Sequence, residues 1–230
     1  MQKEGTKMPT VSMRFANFAD VGELARVHLE TGIRQPAGFM FRLGRRFLEE
    51  YYRTILLEKG TVILCAESEG KIVGFISGSL RAEERVPGLR KRRLRLALAA
   101  LPAILRSPSL AFQAFERQKS GSAEKGEGFI VQSGAHQEYW AWAASGTAGS
   151  LLLQKKWLSI MQILGADRVT CEVDKVNELS EMAHRVCGAR RLTSLKTPDG
   201  RERLLLCYDL KPVDAGNEQP SNNAGELMNV

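Results

Sequence analysis

Apolar residues along this chain recur at two spacings, and the change from one to the other is clearest between residues 146 and 190, GTAGSLLLQKKWLSIMQILGADRVTCEVDKVNELSEMAHRVCGAR. After a small-residue turn, Leu151, Leu152, Leu158, Met161, Ile163 and Leu164 fall at helical spacing and predict a broad apolar stripe. Gln154, Lys155, Lys156 and Gln162 are left for the other side. A β-branched run then ends in Val173-Asp174, a helix starts at Asn177, and Gly188 closes it.

The rest of the chain reads in the same way. A strand is expected at about 11–18, then a helix capped by Asp20 with Val21, Leu24, Ala25 and Leu29 on its buried side. The turn residues Gly32, Pro36 and Gly38 precede a helix near 44–58. Its aromatics Phe47, Tyr51 and Tyr52 read as core, with a substrate pocket as the alternative. A hairpin over 61–80 turns at Glu69-Gly70, a strand covers 137–144, and a last hairpin (189–195 and 202–210) turns at Pro198-Asp199-Gly200. Residues 1–10 form a flexible lead, and the tail over 213–230, rich in Asn, Glu, Gly and Pro, reads as disordered. What lies between is one domain, 11–212, whose helical stretch at 81–128 reads as an insertion.

The turn before the long helix has chemistry of its own. Gly146 can take φ > 0 and admit a ligand to the backbone, Ala148 and Gly149 keep the next positions small, and Ser150 adds a hydroxyl. A helix N-terminus carries about half a positive charge and several unpaired amides, which suits a pyrophosphate. The same small residues equally serve close packing of the helix on a strand.

In sum the segment resembles the acetyl-CoA core of the GCN5-related N-acetyltransferase (GNAT) family. Gly146-Thr147-Ala148 and Leu151-Leu152 match that family's Gly-x-Gly/Ala and Leu-Leu elements. Gly165-Ala166 and Arg168–Asp174 match its loop and strand, and Asn177 and Gly188 fall at the expected places. The stretches 12–28 and 64–80 resemble its first strand and helix and its second and third strands. Ala143 stands where Arg or Gln usually opens the phosphate motif, Ala189 replaces a Phe, and His184 replaces a Tyr. The resemblance implies a mixed α/β fold, a mostly antiparallel central sheet with flanking helices, and transfer of an acetyl group from acetyl-CoA to a small-molecule amine. A non-catalytic, ligand- or partner-binding domain of the same fold is the alternative.

It also implies roles. The backbone of Trp142, Ala143 and Ala144 would hold pantetheine, and the amides of Gly146, Thr147, Ala148, Gly149 and Ser150 the pyrophosphate. Glu138 is the candidate base, with His136 its competitor; His184 would give a proton to the departing thiolate, and Asn177 would order the pantetheine. Strict alternation puts His136, Glu138, Trp140 and Trp142 on one face of their strand, and Gln137, Tyr139 and Ala141 on the other. Each candidate also has a structural reading: an Arg-paired strand residue for Glu138, an edge-strand polar residue for His136, a hydrogen-bonded core residue for His184 and a helix cap for Asn177.

Charge draws attention to the insertion. The chain has net charge +7, and Arg90, Lys91, Arg92, Arg93 and Arg95 crowd the start of an apolar run of Leu96, Leu98, Leu101, Ile104 and Leu105 that Pro102 and Pro108 should kink or end. A lid over the acceptor site, a solvated helix and a contact with an anionic membrane surface are three readings of this segment. No recognised nucleic-acid motif accompanies the charge, so nucleic acid is not the expected partner. Cys65, Cys171, Cys187 and Cys207 lack metal-site or redox spacing and read as reduced core thiols, so no metal is expected. With neither an apolar leader nor a membrane-length run, the expected location is the cytoplasm.

Overall fold

The computed structural model describes residues 11–35, 39–120, 133–144, 146–196 and 200–210. Within them β1 (Ser12–Phe15), β2 (Thr61–Ser68), β3 (Lys71–Ser79), β4 (Ala135–Trp142), β5 (Arg168–Asp174), β6 (Arg190–Lys196) and β7 (Glu202–Asp209) form one sheet in the order β1-β2-β3-β4-β5-β7-β6. Neighbours run antiparallel except β4 and β5, which are parallel. The helices are α1 (Val21–Gly32), α2 (Gly44–Ile55), α3 (Ala82–Lys91), α4 (Arg93–Arg106), α5 (Ser109–Ser120), α6 (Ala148–Ile163) and α7 (Glu178–Val186). This is the mixed α/β architecture expected from the sequence. The lead at 1–10, the tail at 213–230 and the Pro198-Asp199 part of the last turn lie outside the described residues.

Alternation along β2 explains the layering. Val62, Leu64 and Ala66 pack with Leu153, Trp157 and Met161 of α6, whereas Ile63 and Cys65 pack with Leu24 of α1 and Leu48, Tyr52 and Ile55 of α2. The sheet is therefore covered on both faces. Trp157 and Tyr52 are fully buried, each worth roughly 1.5–3 kcal/mol relative to exposure. Two glycines of β3 admit large rings: a Cβ on Gly78 would lie 2.4 Å from the Trp157 ring, and one on Gly74 2.4 Å from that of Trp142. The β2–β3 hairpin turns at Glu69 and Gly70, both at positive φ (51° and 74°), as a tight two-residue turn requires.

Several expectations need correction. The Asp20 side chain does not cap α1; Asn17 caps the short 3₁₀ turn before it, accepting the Ala19 N–H at 2.8 Å. Asp20 instead returns to the Asn17 N–H at 2.8 Å and pairs with Arg14, which holds its carboxyl below the usual range. The buried stripe of α6 is Leu153, Gln154, Trp157, Leu158 and Met161, leaving Leu152, Ile163 and Leu164 exposed. The helix is thus rotated from the expected setting, because Trp157 has more apolar area to bury than any of the leucines. Pro102 does not end α4. Its ring opposes the carbonyl of Leu98, on the water-facing side, where that oxygen can be hydrated. Pro108 does fall at the break between α4 and α5.

Strict alternation also fails in β4. Ser77 pairs with Tyr139 and Gly78 with Gln137, so Glu138 is an extra residue, a β-bulge. Gln137 consequently shares a face with Trp140 and Trp142, toward α6, and Glu138 turns toward α2.

Candidate active site

β4 and β5 are paired at Ala135–Val169, His136–Thr170 and Gln137–Cys171, and there the ladder stops. The bulge at Glu138 bends β4, which stays on β3 as far as Trp142, while β5 stays on β7 as far as Asp174. Two strands held by different outer neighbours must part. A cavity of about 130 Å³ fills the opening, lined among others by Gln35, Glu138, Trp140, Asn177 and His184.

Three of the sequence candidates thus meet in one cavity. Glu138 is half-buried and accepts a hydrogen bond from the Tyr51 hydroxyl at 3.5 Å. Asn177 caps α7, its side chain accepting the Ser180 N–H at 3.3 Å. His136 is not in the lining: it sits in the paired part of the sheet, buried, with Nδ1 3.0 Å from the Thr170 hydroxyl.

His184 is the end of a buried polar chain. The Gln137 and Gln154 amides bond each other reciprocally at 3.0 and 2.7 Å, Gln154 Nε2 donates to the Tyr208 hydroxyl at 3.1 Å, and that hydroxyl lies 2.7 Å from His184 Nδ1. Tyr208 already accepts from Gln154, so the assignment that satisfies the chain has its O–H donating to Nδ1. The imidazole is then neutral and keeps its proton on Nε2. Burial supports this, pushing the His184 pKa down to about 4 and that of the Tyr208 phenol up. Trp140 meets the imidazole edge to face, ring centres 5.1 Å apart. An imidazole so held is a fixed hydrogen-bond donor at neutral pH rather than an imidazolium acid.

On the α1 and α2 side of the cavity the rings close up. His28 stacks on Tyr139 with centroids 3.8 Å apart, and its Nδ1 is 2.6 Å from the Tyr52 hydroxyl; burial pushes its pKa down to about 3. Gln35 donates to the Tyr139 hydroxyl at 3.3 Å. Of the aromatics on α2, Tyr52 is core, while Tyr51 reaches the Glu138 carboxylate.

The turn into α6 has Gly146 at φ 80°, with open space where a Cβ would be. The first intrahelical bond runs from Leu151 N–H to Thr147 O, so the amides of the preceding residues have no partner within the helix. Trp142 shapes this turn: its indole N–H donates to Gly146 O at 2.8 Å, and a Cβ on Gly149 would lie 2.7 Å from the ring. Gly149 is therefore small for Trp142. Ala143 N–H donates to Val73 O at 2.8 Å; alternation leaves the Trp142 amide and carbonyl facing the opening.

For Tyr51 the pocket alternative holds, since it reaches Glu138; sequence reasoning missed Gln35, which the fold brings to Tyr139, and the Gln137–Gln154–Tyr208 chain. A Gln inside the LLLQKKWL run was the available signal, since a polar residue amid helical apolar positions needs a buried partner. A larger groove, about 1020 Å³, lies elsewhere, between Glu58 and Lys59 and helices α3 and α4. The four cysteines are free thiols, and burial pushes Cys65 up to about 12.

No protein-family model and no curated protein sequence matches the chain. Solved structures do. An acetyltransferase of the GNAT family from Streptococcus pneumoniae superposes with a TM-score of 0.53 at 12% identity, over 87% of this chain and 99% of that one. The aminoglycoside acetyltransferase AAC(6')-Ib, in complex with coenzyme A and kanamycin, gives 0.53 at 13% identity, over 87% and 95%. The yncA protein of Salmonella typhimurium, solved with its cofactor acetyl-CoA, gives 0.54 at 12% identity, over 90% and 98%. At such identities the likeness establishes architecture rather than chemistry: the chain has the fold of the GCN5-related N-acetyltransferases, in a divergent sequence.

Proposed function

We propose that the chain is an acetyl-CoA-dependent N-acetyltransferase that acts on the amine of a small molecule. The observation that carries this reading is the opening between β4 and β5, where Glu138, Asn177 and His184 line one cavity. Beyond the end of β4, Gly146 leads into the N-terminus of α6.

The open edge of β4 beside Trp142 offers peptide groups to the pantetheine amides, as an added strand would. The amides around Gly146 and the start of α6 would hold the pyrophosphate without help from a basic side chain, which suits a turn with Ala143 in place of Arg or Gln. The acceptor enters from the side of Gln35 and Tyr51. Glu138, directly or through a water, takes the proton that the amine must lose as its nitrogen attacks the thioester carbon. The carbon–sulfur bond breaks and the thiolate leaves toward His184, whose Nε2–H donates a hydrogen bond to it. His136 has no part in this reading, because it stays in the paired ladder.

Glu138→Gln tests the assignment. The expected result is a lower turnover rate with unchanged coenzyme A affinity; equal loss of both would make Glu138 structural. The alternative, a ligand-binding domain without turnover, rests on the missing basic residue at Ala143 and predicts the absence of acetyl transfer to any amine.

A further inference from the structure

We propose that α4 is the seat for an anionic lipid bilayer, a surface function separate from the cleft. The helix buries one side: Ala100, with Ala103 and Ile104 beside it, packs on Phe39, Leu43 and Leu110. The opposite side is an apolar stripe with nothing on it among the described residues. Leu94, Leu98, Leu101 and Leu105 are 73%, 69%, 45% and 73% exposed. At about 100° per residue they project within a narrow sector of the helix.

Charge says what the stripe meets. On the same wheel Arg95 and Arg106 fall together on one flank of the stripe, and residues 90–106 contain six Arg or Lys and no Asp or Glu. Along the Arg106 flank runs a groove of about 660 Å³ that Arg42, Arg45 and Arg46 also line, with Pro102 and Ala103. Arg42 bonds Gln113 and Arg45 bonds Glu49 there, so the groove is cationic but not bare. Leucines beside a row of arginines suit an interface of acyl chains beneath phosphate headgroups. They do not suit a second copy, since pairing two α4 faces would set arginine rows against each other. Nor do they suit nucleic acid, to which four leucines offer nothing. No helix among the described residues is long and apolar enough to cross a membrane, so the contact is with the surface.

The test is co-sedimentation of the full chain with vesicles of phosphatidylcholine alone or mixed with phosphatidylglycerol, at low and high salt. The expected result is binding to the anionic vesicles alone, weakened by salt. Arg95→Gln with Arg106→Gln should lower partitioning roughly thirtyfold, and Leu98→Gln with Leu105→Gln roughly a hundredfold or more. The leucines and both arginines are exposed, so unchanged melting curves verify folding. Equal binding to both vesicles, no binding to either, or unaltered binding by both double variants overturns the proposal. So does a concentration-dependent dimer abolished by the leucine changes, or salt-sensitive retention of duplex DNA, in a protein that ignores vesicles.

Discussion

Replacing Gly149 by Ala separates two reasons for a small residue at the start of α6. The added Cβ would lie 2.7 Å from Cη2 and Cζ2 of Trp142, so the pair must move apart by roughly 1 Å to reach ordinary carbon contact. The indole has little room to yield: its other edge already abuts Gly74, and its N–H is tied to Gly146 O at 2.8 Å. Such overpacking costs about 1–3 kcal/mol, against which Ala gains about 0.5–1 kcal/mol over Gly in helix propensity. In a Trp142→Leu background the clash disappears and only the gain remains. The two substitutions should therefore be coupled by about 2 kcal/mol. Thermal or urea unfolding of the four proteins measures this, at about 2–4 °C per kcal/mol for a domain of this size. A coupling below about 0.5 kcal/mol, or a loss confined to coenzyme A affinity in both backgrounds, would refute the packing argument and return Gly149 to the ligand.

Acid should destabilise the fold through two buried histidines. His28 and His184 fall from 6.5 to about 3 and about 4, so the unfolded chain binds protons first as pH drops. Their contribution is complete above pH 6.5, shrinks as pH falls below it and levels out near the folded values. The limit is on the order of 3–5 kcal/mol per histidine, and His184→Gln should remove its part of the slope in urea unfolding across that range. Tyr208→Phe should cost about 1–3 kcal/mol in the same assay by stripping partners from Gln154 and His184; an unchanged midpoint would contradict the polar chain. Glu138→Gln should slow turnover roughly a hundredfold or more with coenzyme A affinity intact, read from steady-state rates and calorimetry.

Much of the fold is legible in the chain because the apolar runs of β2 and β3 are short and closed by turn residues, and Gly70, Gly146 and Gly188 mark the turns. The Glu138 bulge is not legible, since one unpaired residue leaves no trace in a pattern of alternation, and yet it decides which way Glu138 and Gln137 face. The setting of α6 differs from the expected one for a related reason: four leucines, an isoleucine and a methionine outvote one tryptophan in a periodicity count, although Trp157 is fully buried. Of the site, the residues close in sequence to the turn could be named in advance. Gln35 could not, and Tyr51 could be named only as one of three aromatics, because the sheet order, rather than any local pattern, brings α1 and α2 to β4. The exposed stripe of α4 was visible only as an apolar run; which leucines face water depends on the contact with Phe39 and Leu43.

The central claim is that the opening between β4 and β5, with the Gly146 turn, holds acetyl-CoA. Calorimetric titration of the folded protein with acetyl-CoA and coenzyme A tests it most directly, alongside Gly146→Glu. That change places an anion where the pyrophosphate would lie and strains a backbone at φ 80°, so a matched Gly146→Ala control isolates the charge. The account predicts binding at about micromolar concentration, retained better by the alanine variant and lost with glutamate. No binding up to about millimolar concentration by folded protein, or binding indifferent to Gly146→Glu, would contradict it.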